Sequence, residues 1–443
     1  RSLVGSEMCI RDSGYTLLRG NSQQRYFSAL DEDDINVKAG LVYRLKDDVE
    51  EISNIRLGYT GRFVDDSFKA TEYNLTVEHA SDFPSLDGFL LDDYYNRDNL
   101  SSGWFKIQKN VDKYTVTKNI HSAYAEATYQ FTSRWIVNLG LKYDYVDINV
   151  DYNVNRGGSE GSNTIRKDYF LPSLNLKYNL NEKHSLRLGA SKTYTLPQAK
   201  EISPYRYVGV NFNSQGNPNL KPSDNYNFDL KWDFNPSPTE LVSLTAFYKH
   251  IKDPISRIEV ASAGGYLSYE NISDRAIVAG VEVEIRKNLF VRPLSSAANG
   301  MNKLSFGLNG SYIYTNAKMP LATVTTGSQL EGAAPWIANF DLSHHFTRDE
   351  RSFVNTLVLN YVSDKIYTIG TQGYQDIMER GLVTLDFVSQ ARLNKYLSLN
   401  LKARNLLNPS HKLSRKANES GEKVVLGDYK KGINISLGVS CTF

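Results

Sequence analysis

Apolar and polar residues alternate with a period of two over most of the chain. The last twelve residues, GINISLGVSCTF, show it clearly: Ile433, Ile435, Leu437, Val439, Cys441 and Phe443 are apolar, with Asn434, Ser436, Gly438, Ser440 and Thr442 between them. That period is the mark of a strand with one apolar and one polar face. The same pattern recurs in INVKAGLVYRL from Ile35, NIRLGYTGRFV from Asn54, SAYAEATYQF from Ser122, WIVNLGLKYDY from Trp135 and LPSLNLKYNL from Leu171. It continues in HSLRLGASKTY from His184, NYNFDLKWDF from Asn225, ELVSLTAFYKHI from Glu240, AIVAGVEVEIRK from Ala276 and KLSFGLNGSYIY from Lys303. WIANFDLSHHF from Trp336, SFVNTLVLNYV from Ser352, LVTLDFVSQARL from Leu382 and YLSLNLKARNL from Tyr396 complete the set. About fifteen strands follow, with room for a sixteenth before Ile35, each near the ~9–11 residues that cross a bilayer at a tilt. No helical period of any length competes.

The connections come in two sizes. TSR after Phe131, NEK after Leu180, NPSPT after Phe234, TRDER after Phe346 and NK after Leu393 are short. Between them lie long ones: Asp65 to Asp112, Asp151 to Asp168, Thr195 to Pro222, Thr315 to Ala334, Ser363 to Gly381 and Leu407 to Asp428. Short and long in alternation put all short turns at one end and all long loops at the other. An antiparallel up-and-down transmembrane β-barrel has that layout, with short turns in the periplasm and long loops outside. NLFVRPLSSAANGMN from Asn288 fits less well, as a long periplasmic turn. Tyr129, Phe131, Trp135, Tyr178, Trp232, Phe234 and Phe346 lie beside short turns, as an interfacial girdle requires.

Composition narrows the reading. The longest apolar stretch, AIVAGVEV, is far below the ~20 residues of a spanning helix, which leaves a membrane barrel open. Lys and Arg number 51 against 49 Asp and Glu, a net charge of +2 without a basic cluster, so nucleic acid is not an expected partner. Cys9 and Cys441 stand at opposite ends and read as unpaired. The opening RSLVGSEMCIRDS has neither an initiating Met nor a signal-peptide layout. It reads as an adaptor scar, so residues 1–13 are set aside and residues 14–443 are expected to be a partial barrel.

Several segments resemble the C-terminal barrel of TonB-dependent outer-membrane receptors of the Bacteroidetes type. The strongest is SKTYTLPQAKEISPYRYVGVNFNSQGNPNLKPSDNYNFDLKWDF from Ser191, where Tyr194 and Pro197 end a strand and Gly216 through Pro222 form the GNP-x-LKP element. FYKHIKDPI from Phe247, AGVEVEIRKNL from Ala279 and RNLLN from Arg404 follow in order, and Phe443 resembles the terminal signal taken by the barrel-assembly machinery. The resemblance spans roughly Ile35 to Phe443. It implies a barrel of about 22 strands filled by an N-terminal plug that contacts the TonB complex. Neither plug nor contact segment is recognisable, so an incomplete wall of about 15–16 strands with unpaired first and last strands is expected. Local chemistry alone makes GNPNLKP a turn.

Chemistry of catalysis is not indicated: HExxH, GxSxG and Walker signatures are missing, and no cofactor or metal set suggests itself. His344 and His345 are adjacent and face opposite sides of a strand. The other histidines, His79, His121, His184, His250 and His411, are scattered, and Asp147 and Asp151 read as strand-end acids facing water. The sequon at Asn271, like those at Asn74, Asn418 and Asn434, carries no weight. Binding has better candidates in two outer loops, Tyr94, Tyr95, Arg97, Trp104 and Phe105 in one and Tyr205, Arg206 and Tyr207 in the other. Rings beside charge suit sugars, aromatic chelates or peptides, although loop rings serve equally to pack loops on one another. TonB-driven import of siderophore-iron, cobalamin, a glycan or a peptide is the leading function. A passive or plugless outer-membrane channel and a soluble all-β adhesin or binding module are the alternatives.

Overall fold

A computed structural model shows an almost purely β architecture. The structure describes residues 10–11, 14–15, 23–45, 53–77, 96–155, 159–209, 212–261, 265–294, 300–318, 329–371, 373–417 and 421–442. Fifteen strands form one sheet: β1 Gln23–Arg44, β2 Asn54–Val77, β3 Phe105–Gln130, β4 Trp135–Val154, β5 Ser159–Asn179, β6 His184–Thr195, β7 Ser223–Phe234 and β8 Leu241–Lys252. The sheet continues with β9 Arg275–Pro293, β10 Gly300–Ala317, β11 Trp336–Arg348, β12 Arg351–Val362, β13 Leu382–Arg392, β14 Leu397–Arg404 and β15 Asn434–Cys441. Each strand pairs antiparallel with its neighbours in sequence, an up-and-down meander whose two edges are β1 and β15. Among the described residues no bridge joins those edges. Among the described residues, every alternating stretch identified above falls in one of these strands to within two residues at its ends.

Register lines up the apolar positions. Leu41, Leu57, Ala125, Leu141 and Pro172 stand opposite one another across β1–β5. Leu188, Leu230, Ala246, Val281 and Tyr312 do so across β6–β10. Leu308, Phe340, Leu359 and Leu385 follow, and Leu401 faces Leu437. The opposite face is polar, with rows such as Arg187, Lys231, Thr245, Glu282 and Ser311. Solvent exposure is the reverse of a soluble protein's: Leu41 is 77% and Leu437 68% exposed, whereas Asp144 is 1% and Ser243 2% exposed. Such a sheet has its apolar face toward lipid and its polar face toward a lumen.

Aromatic rings bound the apolar belt at both ends. Beside the short turns Trp135 stacks on Tyr178 at 4.2 Å, Tyr129 meets Phe131 at 4.8 Å and His184 stacks on Phe234 at 4.4 Å. The far rim holds Phe63 and His121 at 5.3 Å, Tyr143 and Phe170 at 5.1 Å, Phe228 and Tyr248 at 6.4 Å, and Tyr312 and Trp336 at 4.6 Å. Trp135 to Tyr143 is ~26 Å of strand, or roughly 20 Å of height at the usual tilt, close to the ~25 Å apolar band of such barrels.

Strand length departs from expectation. β1–β5 run 20–26 residues, so much of the expected loops Asp65–Asp112 and Asp151–Asp168 is strand. The reason is visible on β4. One face carries Leu139, Leu141 and Tyr143 and then Asp147, Asn149 and Asp151; the other carries Asn138, Lys142 and Asp144 and then Val146, Ile148 and Val150. The polarity of the faces swaps beyond the aromatic rim, and an unbroken alternation of one sign ends there. Asp147 is accordingly mid-strand, 3.1 Å from Arg166 on β5. The segment from Asn288 is likewise strand up to Pro293, with a register shift between Asn288 and Phe290, and pairing resumes at Gly300. Cys441 is a free thiol opposite Leu397, while Cys9 and Phe443 lie outside the described residues.

The GNPNLKP element is more than a turn. Gly216 passes so close to the Ser203 carbonyl that a Cβ would collide with it. The Asn217 amide group donates to Tyr269 O at 2.9 Å, and the Asn163 amide group donates to Pro218 O. Lys221 N donates to Asn271 Oδ1 at 2.8 Å, and Asn271 Nδ2 donates at 2.9 Å to Lys221 O and to Asp253 O. Asp253, first residue of the Asp-Pro-Ile step, has φ 52°, a left-handed turn that brings its carbonyl to Asn271. One side-chain amide therefore fastens the β6–β7 loop to the hairpin Ile255–Val260/Tyr266–Asn271.

Two outcomes are expected. Leu141→Arg puts a charge in the belt at a cost of about 2–4 kcal/mol, so the folded, heat-modifiable fraction in outer membranes should fall, while lumen-facing Asn309→Arg should leave it nearly unchanged. Asn271→Ala removes three hydrogen bonds worth about 1 kcal/mol each; amide exchange should quicken at Lys221 while the β4 amides keep their protection.

Candidate functional site

The long loops condense at one end of the sheet. Above the rim the swapped face of β2–β5 presents Phe68, Ala70, Tyr114, Val116, Val146, Ile148 and Val150, and the β6–β7 loop lays Ile202, Tyr205 and Leu220 upon them. Tyr205 is 3% exposed, its ring 4.7 Å from Phe68 and 5.1 Å from Tyr114. Burial raises its hydroxyl pKa well above the ordinary tyrosine value. This ring holds the loop down.

Arg257, on the strand Ile255–Val260, ties further loops together. Its guanidinium lies 3.0 Å from Glu331 Oε1, donates to Tyr367 O at 2.5 Å and to Thr368 Oγ1 at 3.1 Å, and stacks 3.9 Å above the Tyr367 ring. The planar fork of arginine permits several donors and a stacked face at once. Ile258 bridges Ile369 in parallel, and Arg415 reaches both oxygens of Glu259 at 2.8 Å. Beneath them Ile258, Ile272, Ala276, Ala317, Leu330, Ile366 and Ile369 form an apolar core. The loops after β8, β10, β12 and β14 thus form one cap. Burial pushes the Glu331 carboxyl above the ordinary range even with Arg257 beside it.

A basic and aromatic patch lies beside this cap, on the β6–β7 loop and the start of β1. Lys200 Nζ stands 4.2 Å over the Tyr207 ring, and Tyr26 of β1 meets Tyr207 edge-on at 5.8 Å. Arg206, next to Tyr207 in sequence, has its Nε buried and without a hydrogen-bond partner. Burial, with the Arg257 charge added, holds the Lys200 ammonium below its usual range; burial and Tyr207 push the Tyr26 hydroxyl up to about 12. Incompletely satisfied cations beside rings suit an anionic or aromatic ligand.

Of the residues singled out in the sequence, Arg206 and Tyr207 are in this patch and Tyr205 is beneath it. Arg97 is exposed on the short helix Arg97–Ser101, whose first turn is capped by Asn96 Oδ1, accepting from Asn99 N at 2.8 Å. Trp104 is half-buried and Phe105 buried at the start of β3. Phe105 and Tyr114 are about 30 Å apart along that strand, so the two groups of residues are not brought together. Tyr94 and Tyr95 lie outside the described residues. Sequence reasoning missed Lys200, Tyr26, Arg257 and Glu331; only Lys200, inside the segment from Ser191, carried any signal. Among the described residues no cluster of His, Cys, Asp and Glu forms a metal site.

Comparison with known proteins agrees with this architecture. The chain is 25% identical over 228 residues to the iron-regulated outer membrane virulence protein of Vibrio cholerae serotype O1, a match covering 49% of this chain and 32% of that protein. The siderophore receptor PiuA from Acinetobacter baumannii superposes with a TM-score of 0.57 at 13% identity, over 93% of this chain and 56% of that one. The copper transporter OprC gives 0.60 at 14% identity, over 94% and 58%. The chain therefore spans about a third of the curated relative's length and little more than half of the solved transporters'. Residues 10–406 match the family described as TonB dependent receptor-like, beta-barrel. Over most of its length, then, the chain belongs to the β-barrel family of the TonB-dependent receptors.

Proposed function

We propose that the chain is the wall and loop cap of a Bacteroidetes-type receptor that imports a scarce ligand across the outer membrane with TonB-supplied energy. The observation that carries this is the open patch of Lys200, Arg206, Tyr207 and Tyr26, held at the loop end of a sheet whose polar face lines a lumen. A cation over one ring, a second ring at its edge and the unpartnered guanidinium nitrogen of Arg206 favour an anionic, aromatic iron chelate over a neutral sugar. The iron-regulated relative and the siderophore receptor PiuA support that choice of ligand class. Cobalamin, a glycan and a peptide are the competing cargoes. Arg97, exposed on its short helix, and half-buried Trp104 would meet ligand earlier, between β2 and β3, with Phe105 buried behind them; Tyr94 and Tyr95 are proposed as ligand residues on sequence grounds alone. In this reading the plug that contacts the TonB complex belongs to a longer receptor, and Phe443 is the signal for the barrel-assembly machinery.

Uptake of labelled ferric catecholate chelate by cells carrying the complete receptor tests it. Uptake should collapse when the proton-motive force is dissipated, whereas a passive channel would keep it. Lys200→Ala with Arg206→Ala should weaken chelate binding by about tenfold or more, measured by equilibrium binding to outer membranes with receptor abundance unchanged.

A further inference from the structure

Three cations stand side by side on the lumen face near the short-turn end of the sheet. Lys177 of β5, Arg187 of β6 and Lys231 of β7 are directly opposite one another in register. Partners in neighbouring strands are only ~5 Å apart, where like charges repel. Buried Asp233 answers two of them, 3.5 Å from Arg187 Nε and 3.4 Å from Lys231 Nζ, which leaves Lys177 without an ion pair among the described residues. Lys177 adjoins Tyr178, whose ring stacks on Trp135, so the row stands at the level of the turn-side girdle.

Lys177 and Arg187 also line a groove of about 950 Å³ whose remaining walls come from three short turns. Those turns add Arg134 and Lys183, and Glu182 is the one carboxylate in the lining. Their backbones are tied to one another. Asn179 N donates to Arg134 O at 2.8 Å and its side-chain amide to Ser133 O at 3.2 Å, while Asn235 N donates to Lys183 O at 2.8 Å. Asn181 Oδ1 accepts from Lys183 N and His184 N, each at 2.9 Å. The cations are thus mounted on a fixed frame around a space of the size that takes a small ligand. An excess of cations, with amide groups between them, suits a compact anion.

We infer that this groove is a second, exit-side site for the anionic chelate, holding it at the periplasmic end of the lumen before release. The inference rests on the anionic cargo proposed above. β6 connects the two sites: Arg187 lies near its turn end, and Lys200 follows its loop end. Arg134, Lys183 and Arg187 are exposed, and water and salt screen exposed charges, so the exit site binds more weakly than the patch. Cargo can therefore be met there and still leave.

Equilibrium binding of a ferric catecholate chelate to the complete, detergent-solubilised receptor provides the test, with an uncharged ferric hydroxamate chelate as control. The catecholate should show a tight and a weak class of site, the weak one fading with added salt. Lys200→Ala with Arg206→Ala should remove the tight class and spare the weak one. Arg134→Gln, Lys177→Gln and Lys183→Gln together should do the reverse, weakening the weak class by about tenfold or more. None of those three side chains is ion-paired among the described residues, so heat-modifiable mobility should be retained. A single class of site in the native receptor, a weak class untouched by the folded triple variant, or equal weak binding of the uncharged chelate overturns the exit site. Loss of the tight class alone from the native receptor would count against the patch and leave the groove standing.

Discussion

Inside hydrocarbon no water can accept or donate a hydrogen bond, so every peptide group must find its partner in the protein. For strands this forces a neighbour on each side and forbids a gap in the ladder. Between its two edge strands the sheet meets this demand, as where β4 and β5 pair without interruption from Trp135 and Tyr178 to Val154 and Ser159. Once the ladder is unbroken, each residue has only one remaining choice, the face it occupies. Lipid on one side and water on the other then sort the side chains, which is why Leu41 can be more exposed than Asp144 without penalty.

That constraint explains what was legible beforehand. All fifteen strands could be located because alternation between lipid and lumen is the strongest signal a chain of this kind carries. The turn-side girdle was legible too, since Trp135, Tyr178 and Phe234 lie beside turns too short to hide them. The other rim was not. There the strands continue, and rings such as Phe63, Tyr143 and Tyr248 fall mid-strand with nothing local to mark them. Val146, Ile148 and Val150 illustrate the difficulty: the alternation is intact but its sign has changed, because the outer face has left lipid for water while the inner face has gained a loop to hold.

The cap was harder still, because its decisive contacts join residues far apart in sequence. Arg257 meets Glu331 and Tyr367, and Glu259 meets Arg415. No period or spacing announces such pairs. Asn271 reads as a stray sequon, yet its amide joins the GNPNLKP element to the Asp-Pro-Ile step. Nor are these contacts chiefly a source of stability. Burial works against the Glu331 charge, whose carboxyl is raised, and a buried ion pair of good geometry does little more than offset its own desolvation. What it supplies is discrimination, since any other arrangement of the loops leaves half-buried Arg257 or buried Glu259 without its partner.

The two halves of the molecule are coupled through the rim. The face of β2–β5 that is polar within the membrane becomes apolar directly beyond it, so the loop after β6 can pack only above that level. Tyr205 is consumed in doing so, and the residues that follow it, Arg206 and Tyr207, are thereby carried to the edge of the packed region beside Lys200 and Tyr26. The height of the open patch is therefore set by where the sheet leaves the lipid. Moving the polarity swap by two residues along the strands would shift the patch by about 7 Å, so the height of the apolar belt and the position of the patch are specified by the same alternation of side chains.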